Sequence, residues 1–272
     1  MLVNLASGAH PSATFPCNHL INTAWLHVDA PGIRAKEQSA RVRWAAPRRE
    51  QAVEQLRQAV QTEDWAGLFE DGKTLLQVQA SWAAGPERCA MLQSLCEEVH
   101  AERVLEVGSF CGVASLAMAE SLPGGVEVLA MELDPFLVEY GAAFRWKSPA
   151  GHKVFTAVGP AQHSLERLAE QARAGSSKPF DLVVIDADKA GMPGYLRIIW
   201  DTPGLLSDRA VVCVDTTPFK GQPPKRYVRF GQAERWVVNS GQAEIDALRA
   251  DVAATEGITG MEGDGLLVIR RS

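Results

Sequence analysis

Five short aliphatic runs recur along this chain, and each is followed by a segment long enough to form a helix. The runs are RVLEV (103–107), VEVLAM (126–131), KVFTAV (153–158), DLVVI (181–185) and AVVCV (210–214), with helices read at Gly112–Leu122, Pro135–Trp146, Ala161–Ala174 and Met192–Trp200. Parallel strands need crossover connections, and strands apolar on both faces need cover on both. The alternation therefore predicts an α/β fold with a doubly wound, mainly parallel sheet. After residue 214 the order changes: RWVVN (235–239), a helix over Gln242–Ala254 and GLLVIRR (265–271) are read as a closing pair of strands around a helix, for seven strands in all.

Two helices are expected before the first strand. The run RREQAVEQLRQAVQTEDWAGLF from Arg48 spaces Val53, Leu56, Val60 and Trp65 at helical intervals, and Pro86–His100 does the same with Met91, Leu92, Leu95 and Val99. Residues 1–47, punctuated by Pro11, Pro16, Pro31 and Pro47, show no sustained period and read as an irregular arm, which leaves 48–272 as one domain. A net charge of −6 argues against nucleic acid or an anionic membrane surface as partner and in favour of a small molecule. The five cysteines form no CxxC pair, so reduced thiols are expected rather than a disulfide framework or a zinc site. The opening MLVNLASGAHPSATFPCNHL has no basic stretch followed by an apolar run, and no later stretch approaches the ~18 apolar residues of a membrane span, so a cytoplasmic location is expected.

The segment VLEVGSFCGVASLAMA reads as strand, glycine turn and helix, with Gly108 and Gly112 as hinges. Backbone N–H groups at such a helix start face whatever sits beyond the strand. A dinucleotide fingerprint needs G-x-G-x-x-G, but Ser109 and Phe110 stand where the motif needs freedom. This weakens the reading as a nicotinamide-dependent oxidoreductase and suits a nucleoside without a pyrophosphate. Glu132, ending the second strand, can accept hydrogen bonds from both ribose hydroxyls; a tight turn with a solvated carboxylate is the plain alternative. Glu106 lies inside an apolar strand and needs a donor, from a ligand ammonium or from the loop's own amides.

FDLVVIDADKAGMPGY (180–195) runs a buried strand straight into Asp186, Asp188 and Lys189. Asp186 ends the fourth strand and Asp215 the fifth, and neighbouring strands lie about 4.8 Å apart, so the two carboxylates can converge. Such a pair repels unless it is protonated or bridged, and a hard cation such as Mg²⁺ is the usual bridge. Lys189, three residues beyond Asp186, is a plausible general base. Asp188 reads either as a group near the cofactor or as a charge at a helix N-terminus.

These segments resemble a known family. VLEVGSFCGVASLAMAESLPGGVEVLAMELDP is similar to the first two motifs of class I S-adenosylmethionine-dependent methyltransferases. FDLVVIDADKAGMPGY, GPAQHSLERL (159–168) and GDGLLVIRR (263–271) are similar to the cation-dependent caffeoyl-CoA and catechol O-methyltransferases. The resemblance covers about residues 70–272 and implies a Rossmann-like methyltransferase fold, S-adenosylmethionine and a divalent cation as cofactors, and a homodimer. It implies Glu106, Gly108, Ser109, Phe110, Gly112 and Ser115 at the first turn, and Glu132 with Leu133 on the ribose. It places Gly159, Ala161 and Gln162 at the adenine, Asp186 at the cofactor and the metal, Asp215 and Thr216 on the metal, and Lys189 as base. An acceptor with vicinal hydroxyls follows: a catechol, a phenylpropanoid, or a cyclic enediol such as a mycosporine precursor. This chain departs from the family at Thr216, where an asparagine supplies the third metal ligand, and a hydroxyl is the weaker donor, which motivates a third reading as a cofactor-binding scaffold with a decayed site. It also departs at Gly191, Met192 and Ala114, although Ser115 follows the last.

Other residues are weighed on chemistry alone. Trp65, Trp82 and Trp146 at helical spacing are expected in the core or an interface, Phe219 and Lys220 overhang the site, and Cys111 is a small loop residue rather than a nucleophile. His19 and His27 fall in the arm and read as surface or capping residues.

Overall fold

The structure, a computed structural model, describes residues 49–217, 241–255, 258–263 and 265–271. Strands β1 (Arg103–Val107), β2 (Glu127–Glu132), β3 (Val154–Val158), β4 (Phe180–Ile185) and β5 (Leu206–Asp215) run parallel, as their apolar sequences and the helices between them require. Strands β6 (Ile258–Gly263) and β7 (Leu266–Arg271) form an antiparallel hairpin, with β7 lying against β5. The order across the sheet is β3-β2-β1-β4-β5-β7-β6.

Successive side chains alternate between the two faces of a strand, so each strand feeds two cores. Val104, Val184 and Cys213 pack under α3 (Pro86–Glu98) and α4 (Val113–Ser121), beside Leu92 and Met118. Leu105, Val183 and Val212 pack on the other face, under α6 (Ala161–Arg173), α7 (Met192–Asp201) and α8 (Gln242–Ala254), beside Leu165, Ile199 and Leu248. A third cluster joins α1 (Arg49–Thr62), α2 (Trp65–Glu70), α4 and α5 (Pro135–Arg145) around Trp65, Phe110 and Leu137.

Two expectations change, and a third narrows. The strand that pairs with β7 is Ile258–Gly263, while RWVVN lies outside the described residues. Two glycines and a glutamate leave that strand no apolar run to mark it, and it is held by its ladder with β7. The helix read continuously from Arg48 to Phe69 breaks at Asp64, whose carboxylate accepts the Gly67 amide at 2.9 Å and so starts α2. Trp65 is buried, but Trp146 is 67% exposed at the end of α5, one position past the stripe that buries Leu137 and Gly141.

Strand β4 carries a carboxylate at each end. At its entry end the buried Asp181 accepts the amides of Glu102 and Arg103 at 2.9 and 3.2 Å and the Ser207 hydroxyl at 2.8 Å. That acid is consumed in joining three strands. The acid at the exit end, Asp186, has a different environment.

Candidate active site

Register brings the exit ends of the central strands level. Val107 pairs with Ile185, and Ile185 with Val214, so Gly108, Asp186 and Asp215 emerge side by side. The Asp186 amide donates to the Val107 carbonyl at 2.9 Å, and a Cβ on Gly108 would lie 2.2 Å from the Asp186 carbonyl oxygen. Only glycine fits there, all the more because φ is +87°. From β1 the chain winds first toward β2 and β3, then crosses to β4 and β5, which makes the crevice between the β1 and β4 loops the switch point of the sheet. Ligands of open α/β sheets bind at that point.

On the β1/β2 side, two buried glutamates are met by neutral dipoles. Glu132 accepts the Phe110 amide at 2.7 Å on one oxygen and the Asp134 amide at 3.0 Å on the other. Each carboxylate oxygen has two acceptor positions, so both can still take a hydroxyl. Burial is the main push on this group, lifting its carboxyl to about 7 against the pull of the Asp134, Phe110 and Leu133 amides. Glu106 is met by the Ser115 hydroxyl, which donates to it from the first turn of α4. The donor is therefore a side chain of the following helix and not the loop's amides. Burial again dominates, raising Glu106 to about 8, with Asp186 and Glu132 adding to the rise and the Ser115 hydroxyl opposing it.

Phe110 adopts φ +52°, which costs a bulky residue on the order of 1–2 kcal/mol. The conformation aims its amide at Glu132, while the ring packs against Trp65 and Trp82, at centroid distances of 5.5 and 6.3 Å. Phe110 thus serves the site through its backbone. Ser109 is buried and its amide shares the Met131 carbonyl with that of Gly108, both at 2.9 Å. Gly112 carries φ +80° at the start of α4, and Ser115 is fully buried, so its hydroxyl reaches the cleft only by way of Glu106. Leu133 is half-buried beside Glu132, and the Gly159 amide donates to the Glu132 carbonyl at 2.9 Å. Ala161 and Gln162 open α6, and the exposed Gln162 side chain donates to Glu166 at 2.7 Å.

On the β4/β5 side the acids are met by cations. The Lys189 ammonium pairs with the Asp215 carboxylate and also donates to the Asp215 carbonyl at 3.1 Å. Arg88, from the first turn of α3, donates to the other Asp215 oxygen at 3.0 Å and lies 3.6 Å from Asp186. Thr217 donates to the same Asp215 oxygen at 2.9 Å. Burial and Asp215 raise the Asp186 carboxyl, and Lys189 and Arg88 pull it back. Asp188 accepts the Gly191 amide and the Tyr195 hydroxyl, each at 2.7 Å, in the turn ahead of α7.

The two aspartates converge as expected, but the residues present do not fit a divalent ion between them. Asp215 has both oxygens engaged by Arg88, Thr217 and Lys189, and the third position carries the buried Thr216 hydroxyl rather than an amide oxygen. Among the described residues, no group of three or more His, Cys, Asp or Glu side chains could hold a metal ion. Cys111 is buried with its thiol pushed up, mainly by burial, which agrees with an unreactive loop residue. Phe219, Lys220, His19 and His27 lie outside the described residues.

Sequence reasoning missed Arg88. A signal was available: Arg88, Leu92, Leu95 and Val99 share one helical stripe, and the last three are buried. A cation heading an apolar stripe must meet an anion where the stripe enters the fold.

A glycine turn at a switch point, with an acid on the neighbouring strand, places a ligand crevice at the exit ends of β1 and β4. A sequence model of the O-methyltransferase family matches residues 69–228, and the chain belongs to that family. It is 29% identical over 146 residues to caffeoyl-CoA O-methyltransferase 2 of Petunia hybrida, covering 51% of this chain and 58% of that protein. It is 37% identical over 112 residues to tricin synthase 1 of Oryza sativa subsp. japonica, covering 41% and 43%. The match therefore spans little more than half of the petunia relative. Among solved structures, the O-methyltransferase TomG of Streptomyces achromogenes, in complex with SAM, superposes with a TM-score of 0.60 at 22% identity, covering 82% of this chain and 90% of that one. The SAH-bound methyltransferase PaMTH1 of Podospora anserina gives 0.61 at 21%, covering 81% and 88%. At these identities the likeness is one of fold, and it extends over the seven-stranded sheet.

Proposed function

We propose that this chain is an S-adenosylmethionine-dependent O-methyltransferase acting on an ionisable hydroxyl of a small molecule, of the catechol, phenylpropanoid or cyclic enediol kind. The observation that carries the reading is the meeting, on one rim, of the Gly108 turn, Glu132, and the group formed by Asp186, Lys189 and Asp215, on the two sides of the switch point. Family membership and the phenolic names of the relatives support it.

In this reading Glu132 accepts the ribose hydroxyls, Gly108 leaves room for the methionine portion, and Ala161 and Gln162 border the adenine. Lys189 has two of its Nζ positions committed to Asp215 and one left for the acceptor. Lys189 is the proposed base and receives the hydroxyl proton as the acceptor oxygen attacks. The acceptor oxygen then forms a bond to the methyl carbon, the carbon–sulfur bond breaks, and its electron pair stays on sulfur as S-adenosylhomocysteine. Charge is neutralised as the bond forms, so most of the barrier is met by alignment and exclusion of water.

Titration calorimetry with S-adenosylmethionine, followed by labelled-methyl transfer to a panel of catechols, phenylpropanoids and enediols, tests the proposal. Submillimolar binding is expected, weakened about tenfold to a hundredfold in Glu132→Gln, because a hydrogen bond to a charged acceptor contributes about 1.5–3 kcal/mol. Binding without transfer to any acceptor would leave a cofactor-binding scaffold. Preference for NAD over S-adenosylmethionine would replace the reading with that of an oxidoreductase.

A further inference from the structure

We propose that Arg88 is a resident counter-cation, standing where the family places a divalent ion, and that binding and turnover in this protein need no metal. The inference rests on the O-methyltransferase reading for its catalytic consequence, but its structural content stands on the cluster itself.

Among the described residues, two carboxylates and two cations meet at the β4/β5 rim. Arg88 spans both acids, at 3.0 Å from Asp215 and 3.6 Å from Asp186, with its side chain only 14% exposed. Two unit charges 4 Å apart interact by about 4 kcal/mol at an effective dielectric constant near 20. A divalent ion placed between the aspartates would meet that repulsion from the guanidinium, from the Lys189 ammonium, and twice over because of its own charge. It would also have to recruit a Thr216 hydroxyl in place of an amide oxygen.

The fold is shaped around both cations. Gly265, in the turn between β6 and β7 with φ +68°, sits where a Cβ would come within 3.2 Å of the Arg88 guanidinium and 2.7 Å of the Thr217 hydroxyl. Gly241, ahead of α8, sits where a Cβ would come within 2.5 Å of the Lys189 stem. The Thr216 amide donates to the Gly265 carbonyl at 2.8 Å, which draws the hairpin turn over the end of β5. A guanidinium offers directional N–H donors and cannot lose its charge, so it supplies fixed electrostatics without an open coordination sphere. Arg88 is thus a positioning residue, orienting Asp215 and through it Lys189.

The test uses the full chain, stripped with a chelator and shown to be metal-free by elemental analysis. Mn²⁺ is added with and without S-adenosylhomocysteine, and the free-ion electron paramagnetic resonance signal is followed. The wild type is expected to leave Mn²⁺ free into the millimolar range; retention of one ion per chain, lost in Asp186→Asn, would overturn the proposal. The double variant R88A with T216N empties the cation's place and restores the amide, and it is expected to bind Mn²⁺ at least about tenfold more tightly than the wild type, whereas R88K is not. Double-variant protein that binds S-adenosylhomocysteine normally yet gains no Mn²⁺ also overturns it. Should the double variant fail to fold, the wild-type titration decides. Methyl transfer by the wild type is expected to be unchanged by chelation, and loss restored by Mg²⁺ counts against Arg88. Absence of transfer to every acceptor would count only against the methyltransferase reading, since the Mn²⁺ titrations decide Arg88 without turnover.

Discussion

The two sides of the switch point solve the same electrostatic problem in opposite ways. Glu106 and Glu132 on the β1/β2 side are held by a hydroxyl and by backbone amides, whereas Asp186 and Asp215 on the β4/β5 side are held by Arg88 and Lys189. Dipoles offset only part of the cost of burying a carboxylate, so the glutamates hold their protons up to about 8 and 7. What they keep is acceptor capacity, which suits a neutral ligand rich in hydroxyls. Full charges reach Asp215 directly but use up its oxygens, and Asp186, 3.6 Å from Arg88, is still raised by burial and by Asp215. The difference gives one crevice a dipolar edge and an ionic edge.

The largest expected effect comes from breaking the ionic side. Asp215→Ala leaves two cations without their shared partner, and removing one member of a buried ion group costs about 3–5 kcal/mol. Urea denaturation is expected to show that loss, with Asp215→Asn less affected; a change below about 1 kcal/mol would mean that water already screens the cluster.

A smaller effect separates the dipolar side by its pH dependence. Glu106 and Glu132 are raised in the fold above the ordinary carboxylate value near 4.5, so between that value and about 8 the folded chain holds more protons than the unfolded one. Their contribution to stability is fully present below about pH 4.5 and is lost as pH rises through about 7 and 8. Glu106→Gln is expected to remove part of this decline, on the order of 3 kcal/mol across the window, read from denaturation midpoints at pH 5 and at about pH 8.5. An unaltered slope would show that Glu106 titrates normally.

The smallest effect belongs to the acid that joins neither side. Asp188→Ala removes the acceptor of the Gly191 amide in the turn ahead of α7 and of the Tyr195 hydroxyl, and is expected to cost about 1–2 kcal/mol of stability with S-adenosylhomocysteine affinity unchanged. Loss of affinity at constant stability would return Asp188 to the cofactor site.

Much of this was legible before folding. The five apolar runs appear as β1 to β5; the central β4 is buried throughout, and the edge strand β3, though apolar in sequence, leaves Phe155 and Val158 exposed. Strand β6 was not legible, since ITGMEG owes its conformation to β7 and not to its own composition. Of the two places read for Trp146, core or interface, its exposure excludes the core: helical spacing tells which residues share a stripe, but one residue of phase decides whether a ring enters the core. At the candidate rim, Asp186, Asp215, Lys189 and Glu132 were singled out in the sequence because charge at or just beyond the end of an apolar strand is costly and therefore conspicuous.

The amino-acid sequence by itself determined the winding of the sheet and the row of strand ends from which acids emerge. Both follow from local patterning, in which period and polarity are written residue by residue. Only the tertiary structure decided how each acid is compensated. Arg88 lies 127 positions before Asp215 along the chain, and its pairing with it depends on where α3 crosses the sheet. Electrostatic partnership acts through space over a few ångströms, and no spacing in a linear sequence encodes such a distance.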